Sequence, residues 1–531
     1  MPLPGDEGRI FYSYRPSKEG IKFNNSPLEL YEAECLYAQN LVYNRGMRTR
    51  DGQSLLTSLE VVADKKIQGL HRFYKADGTT KQLLAACDTV VKYWDGSAWA
   101  SAIAGLTTGY MTHMTTWGGK NKVYICNGID AMRSWDGATP ATLTLTDGVP
   151  TQALPYLDRL LTIIGGNLTW SASFNDTAAS WETASVCGVT PDTKLYGMCY
   201  HVVNGQDSGL KTKVLLAGAN GMYVFFATDM STTTRDFSIY QISTVGCTAP
   251  KTMCWTPAGT MWLGMDRQVY LLPFNSAQAV PISAKIHSLS SAIEGIEKLP
   301  ANQIQNACAV YHKGYYKLSF AGANQTKNNV QFWLDVSRLY KDEDGQYGPW
   351  YGPMVGQAIS CFATQNGFGD EGELMAGESS AKGYVYHVSD PSANTDIDVT
   401  TGAAKNIAIV YQTFNNPLGN PYLMKEVDQL EVQLSTVNNT ITIEFHDVTG
   451  AVRIGDTLSV SSTAGAFWND EYWNDFYWSA NTLVLDVKNL SDIFKVRRLS
   501  VIFKHEGAED FELYDLCVLA REGALEFETL T

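Results

Sequence analysis

The chain has 531 residues, too many for one hydrophobic core, so two or three domains are expected. Aromatic residues make 11%, charged residues only 18%, and there are 45 glycines, a mix that suits short strands and tight turns rather than long amphipathic helices. Asp and Glu outnumber Lys and Arg by 55 to 40, leaving a net charge of −15 that argues against a protein built to grip phosphates.

The opening Met1-Pro2-Leu3-Pro4-Gly5-Asp6-Glu7 has neither a basic nor an apolar signal region. No run approaches the roughly 18 apolar residues that span a bilayer, so synthesis and folding in a cytoplasm are expected. Residues 1–59 read as an N-terminal arm or platform segment. Within it, Pro27 to Asn40 is the best helix candidate, with two turns over Glu29 to Cys35. Ser290 to Leu299 is a second, short one.

Tyr93-Trp94-Asp95-Gly96 and Ser134-Trp135-Asp136-Gly137 each follow an apolar run and stand 41 residues apart (Trp94 to Trp135), the period of a propeller blade. Asp-Gly after an aromatic strand end reads as a tight hairpin turn with both central residues at positive φ. The same rhythm recurs at Leu160–Ile164 into Leu168–Trp170, and at Val214–Ala217 into Met222–Phe226. It returns at Met261–Gly264 into Val269–Leu272, at Tyr315–Phe320 into Val330–Leu334, and at Leu374–Gly377 into Gly383–His387. Residues 60–390 are therefore expected to form a β-propeller of about seven blades.

The rhythm stops after Ser389-Asp390-Pro391-Ser392. Leu430, Val432 and Leu434 then alternate with Gln429, Glu431 and Gln433, and similar strands follow at 440–445, 482–487, 499–503 and 511–519. Period-two alternation marks sheets with one wet face, and residues 391–531 read as a C-terminal β-sandwich. The fold class expected is all-β throughout. This last region carries 21 acidic and 9 basic residues, a balance of −12, so the first 390 carry about −3. Within it, Trp468, Trp473 and Trp478 recur every five residues in an Asn-Asp-rich loop. The loop reads as packing on its own sandwich or on a neighbouring subunit, with a sugar-stacking platform as the competing reading.

No nucleotide loop, nucleophile elbow or zinc-binding His-Glu-x-x-His occurs, and the eight histidines show no metal-like spacing. The ten cysteines lack Cys-x-x-Cys pairs and read as reduced thiols, mostly in the core. Asp342-Glu343-Asp344-Gly345 lacks the alternating ligands and distal Glu of a calcium loop and reads as a solvated turn, as do Asp370, Glu371 and Glu373. No catalytic residue, cofactor or metal site is expected. A glycosidase carboxylate pair has no sequence signal to mark it.

Ala38-Gln39-Asn40-Leu41-Val42-Tyr43, followed by Arg48, Arg50 and Gly52, resembles the opening of a phage virion family, with Asp51 where a Pro is common. Further matches are Leu157-Asp158-Arg159-Leu160-Leu161 leading to Trp170-Ser171, Val245 to Pro250, Pro281 to Ile286, and Gly348-Pro349-Trp350. Together, over residues 30–355, these resemble the packaged-DNA stabilisation or tail-nozzle proteins of short-tailed bacteriophages. The resemblance implies a hexameric ring in the virion tail, below portal and adaptor and beside tail fibre or needle proteins. DNA would pass through it without tight binding. Physically, Arg48 and Arg50 are candidates to bridge carboxylates of a neighbouring subunit, with local pairing the alternative, and Asn40 to bond backbone at a strand end. Two rivals remain: a receptor- or glycan-binding tail protein, and a propeller glycosidase.

Overall fold

The Asp-Gly turns set the fold's local grammar. In the computed structural model of the chain, Trp94 and Trp135 each end the third strand of a four-stranded antiparallel sheet. The turns differ from the expected form: Gly96 (φ +104°) and Gly137 (φ +95°) have positive φ, and Asp95 and Asp136 do not. Each Asp sits just before the two central residues, and its Oδ1 accepts the amides of Ser97 and Ala98, or of Ala138 and Thr139. The carboxylate thus caps the turn from outside, and one positive φ suffices.

The structure describes residues 9–14, 16–26, 28–76, 78, 80–182, 193–204, 210–231, 236–274, 276–290, 293–365, 372–435, 439–447, 449–460, 483–507 and 511–522. Among these, strands dominate and the helical elements are short 3-10 turns. Neither expected helix forms. Cys35 opens a strand instead, because pairing to distant strands outweighs local propensity. At the second site only Ile296–Lys298 makes a single turn.

Six sheets stand as separate propeller blades. The first runs over Ile67–Tyr74, Lys81–Cys87, Val90–Trp94 and Trp99–Ala104, and the second over His113–Trp117, Lys122–Cys126, Met132–Trp135 and Pro140–Leu143. The third begins at Pro150–Tyr156, the fourth at Leu195–Asn204 and the fifth at Cys254–Thr256. The last blade joins Ile359–Gln365, Glu373–Glu378 and Val385–Asp390 to an N-terminal strand. Between the fifth and last blades the circle passes through Cys308–His312, Tyr315–Ala321, Asn328–Asp335 and Trp350–Val355. These four strands also begin a ten-stranded sheet. Innermost strands touch in chain order, and Ile359–Gln365 returns against Ile67–Tyr74 to close the circle.

The N-terminal segment is threaded through everything else. It forms β1 (Arg9–Tyr14), β2 (Cys35–Gln39), β3 (Leu41–Tyr43), β4 (Met47–Thr49) and β5 (Gly52–Leu55). β5 pairs with Val385–Asp390 and completes the last blade. β2 lies between Trp350–Val355 and Ala404–Thr413, joining propeller strands to C-terminal strands. β1 and β4 both pair with Glu512–Glu522. The C-terminal strands fall in two sheets. Lys425–Ser435 lies between Glu512–Glu522 and Leu483–Val496, while Ser500–Gly507 lies between Ala404–Thr413 and Asn439–His446. Leu430, Val432 and Leu434 are fully buried, on the side their alternation assigned. They share one apolar core with Ile443 and Phe503, and equally with Trp262 of the fifth blade and Phe320 and Trp350 of the ten-stranded sheet.

Candidate functional site

Arg50 is the focus of the junction between propeller and C-terminal strands. It is fully buried, and all five guanidinium N–H groups are used. Nε donates to Asn40 Oδ1 (3.1 Å), Nη1 to Asp396 Oδ1 (2.9 Å) and the Asp51 carbonyl (3.1 Å), and Nη2 to Asp396 Oδ2 (2.5 Å) and the Val355 carbonyl (2.9 Å). Asn40, at φ +57°, also accepts the Val355 amide and donates to the Ala408 carbonyl. Gln357 Nε2 donates to Asp396 Oδ1 (3.0 Å). A forked ion pair sealed from water is strong in geometry and intolerant of losing one partner. Arg50 therefore spends itself inside its own chain. Sequence reading named Arg50 and Asn40 but missed Asp396, which lies 346 residues away.

A second buried cluster gathers around Glu34, which precedes β2, whereas Asn40 follows that strand. Lys22 Nζ is 2.6 Å from Asp344, 3.2 Å from Asp342 and 3.4 Å from Glu34, and Lys285 Nζ is 3.0 Å from both Glu34 and Asp342. Lys22, Lys285 and Glu34 are fully buried and Asp342 nearly so. The expectation of a solvated turn at 342–345 holds for Glu343, Asp344 and Gly345, which are exposed, but not for Asp342, whose carboxylate is buried against Lys22 and Lys285. Burial by itself would lower the Lys22 pKa. Its hydrogen bonds to Asp344 and Asp342 and the Glu34 charge outweigh that and raise it. Burial likewise opposes ionisation of Asp342, yet the Gln346 amide and Lys285 hold its carboxyl below the usual range. Next to this cluster, Trp350 Nε1 donates to the Ile282 carbonyl, and the Ile21 and Phe23 amides bond Trp350 and Lys285. Gly20 (φ +76°) is required here, since a Cβ would stand 2.1 Å from the Trp350 carbonyl oxygen. Of the stretches that carried the sequence resemblance, 38–43 and 48–52 border the Arg50 site, and 281–286 and 348–350 border the Lys22–Lys285 cluster.

Arg48 is different. Its Nη2 pairs with Asp51 (2.7 Å), but the side chain remains 35% exposed and lines a cleft with Lys313, Lys317 and Arg338. Trp468, Trp473 and Trp478 lie outside the described residues, as do Asp370 and Glu371. The nine cysteines among the described residues are free thiols. Among those residues no three His, Cys, Asp or Glu side chains converge as a metal site would require, and no helix is long and apolar enough to cross a membrane.

Two other features lie on the propeller. A groove of about 930 Å³ is walled by Trp117, Tyr156, Phe174, Tyr200, Phe226 and Trp255. Inside the circle, Lys251 reaches from the turn before the fifth blade to the Gln68 carbonyl of the first (2.6 Å), joining blades that are not neighbours. Burial lowers its pKa.

No family model matches the sequence, and no curated protein matches it. Solved structures do resemble it. The computationally designed Ika8 protein aligns over 69% of this chain and 100% of its own at 12% identity (TM-score 0.35). BBS1N in complex with ARL6DN aligns over 65% and 99% at 12% identity (TM-score 0.38). PorZ of Porphyromonas gingivalis aligns over 70% and 44% at 8% identity (TM-score 0.37). At such scores these likenesses define no relative. The class is that of an all-β chain with a propeller arrangement of six separate blades, as the strand pairing itself requires.

Proposed function

We propose that the chain is a virion structural protein, a ring-forming tail-nozzle or hub subunit of a short-tailed bacteriophage. It extends the DNA channel below the portal and adaptor and helps retain, then release, the genome. The observation that carries this reading is the use made of the resembling motifs. Asn40 and Arg50 close one buried, hydrogen-bonded cluster with Asp396, and Lys285, with Trp350 beside it, belongs to a second around Glu34 and Asp342. In this reading such residues stiffen the subunit, and the chain is assigned no catalysis and no cofactor. Two finer points of architecture belong to the same proposal. The four strands that begin the ten-stranded sheet count as a seventh blade, and the two C-terminal sheets, sharing one core, count as a sandwich.

In this reading DNA runs along the axis of the ring of subunits. It does not run through the propeller, whose inside Lys251 crosses. Closed rings need a heterologous contact between unlike faces, and six copies follow from the resemblance. Net charge of −15 lets a polyanion slide instead of sticking. Negative-stain images and native mass of the purified chain test this: six-fold rings are expected, and trimers or a persistent monomer in the particle overturn it. Little binding to duplex DNA is expected at about 0.15 M salt. Tight binding with a steep salt slope contradicts the sliding channel.

A receptor- or glycan-binding tail protein is the second reading. The aromatic groove at Tyr200 and Trp255 favours it, because exposed aromatic faces stack on sugars. Glycan binding lost on Trp255→Ala, with no rings formed, would select it.

A further inference from the structure

The Arg48 cleft has features that a structural ion pair does not need. It encloses about 440 Å³ between the β3–β4 turn and the tip of the Tyr315 hairpin. Four cationic side chains line it, Arg48, Lys313, Lys317 and Arg338, against two carboxylates, Asp51 and Asp335. Both Asp335 oxygens are engaged inside the chain. Oδ1 accepts Ser337 Oγ and the Arg338 amide, and Oδ2 accepts Arg338 Nε at 2.7 Å. Asp51 is occupied by Arg48. By count the lining sets four cationic side chains against two carboxylates, in a chain whose net charge is −15.

The cations are also held in place. Lys317, only 3% exposed, sits with its ammonium 4.0 Å from the Trp333 ring centre and donates to Ser389 Oγ. Arg338 lies over the Tyr43 ring at 4.9 Å and donates to the Tyr43 carbonyl and Tyr351 hydroxyl. Aromatic faces and hydrogen bonds fix these cations in place. Lys313 is exposed at the rim, on a turn at φ +48°. Depth, fixed cations and aromatic walls fit an inserted carboxylate side chain better than a convex duplex.

We propose that this cleft receives an acidic side chain from a second copy of the chain, and so forms one half of the contact between neighbouring subunits. The proposal rests on the ring-forming reading and gives it a surface. Charge complementarity selects the partner: the chain carries a net charge of −15, so a second copy is opposite in sign to the cations of the cleft.

The test is self-association of the full-length chain by sedimentation velocity and native mass, at about 0.05 M and about 0.5 M NaCl. Lys313→Glu is compared with Lys313→Gln and Arg48→Gln, each checked by thermal melting. The charge reversal is expected to weaken association by about tenfold at low salt, the neutral variants by less, and high salt to narrow the differences. Rim residue Lys313 separates the effect from folding, since its reversal should leave the melting temperature unchanged. A monomeric wild-type chain sinks the ring reading and this proposal together. Rings that form equally well from Lys313→Glu sink this proposal alone. Loss of duplex DNA binding in that variant, with assembly intact, reassigns the cleft to nucleic acid and likewise overturns it.

Discussion

Arg50 and Arg48 are two residues apart in a β-strand's neighbourhood and have opposite fates. Arg50 meets Asp396, Asn40 and two carbonyls in a dry site, and Arg48 keeps a third of its surface. Nothing local distinguishes them, because the deciding partner, Asp396, belongs to a strand far along the chain. Asp396→Ala removes the anion and leaves a buried guanidinium uncompensated. A loss of about 3–5 kcal/mol is expected in denaturant unfolding. Arg50→Lys is expected to be destabilising as well, since one ammonium has three donors where the guanidinium uses five. Wild-type stability in Asp396→Ala would show that the junction carries little of the fold. The Asp-Gly turns teach a parallel lesson: composition located them, but the side-chain cap that selects the turn is visible only in three dimensions.

At the scale of elements, histidines tie one sheet to the next around the circle. His71 Nε2 pairs with Thr116 Oγ1 (2.7 Å), His201 Nδ1 with Thr260 Oγ1 (2.9 Å), and His312 Nε2 donates to the Gly372 carbonyl (2.7 Å). In the sequence these residues are scattered and carry no pattern; propeller closure is what aligns them. Burial pushes His71 and His201 down to about 4 and His113 to about 3. A histidine of the unfolded chain titrates near 6.5, so the unfolded state binds more protons below that value. Stability is therefore complete above about pH 6.5 and falls as pH drops towards 4. Urea midpoints across this range should show the slope, and His201→Gln should make it shallower; an unchanged slope in that variant would remove the staple from the account. β5 is the other element whose role is positional. Gly52 approaches the backbone of residues 393–395 so closely that a Cβ would stand 2.2 Å from the Thr395 carbonyl oxygen. Gly52→Ala is expected to loosen closure of the last blade at a cost of about 1–3 kcal/mol, read from thermal melting.

At the scale of the whole molecule, one apolar core runs from propeller residues such as Trp262 and Leu271 to C-terminal residues such as Val432 and Phe503. β2 is hydrogen-bonded to strands of both regions. Calorimetry should therefore show a single cooperative transition for the full chain, and a fragment ending at 390 should fail to fold. Two separated transitions would mean that the core is divisible. The sequence by itself determined the all-β class and the second and third strands of most blades, from Leu83–Trp94 to Leu374–His387. It also determined which face of Val427–Leu434 is buried. Those signals are local, because turn residues and period-two alternation act over a few positions. Tertiary structure alone decided how β1, β2, β4 and β5 are shared among distant sheets, and that Asp342 is buried on Lys22 and Lys285. It alone also decided that Arg50 closes on Asp396 while Arg48 opens into a cationic cleft. Those outcomes depend on pairings between residues hundreds of positions apart, for which a single sequence holds no periodic mark.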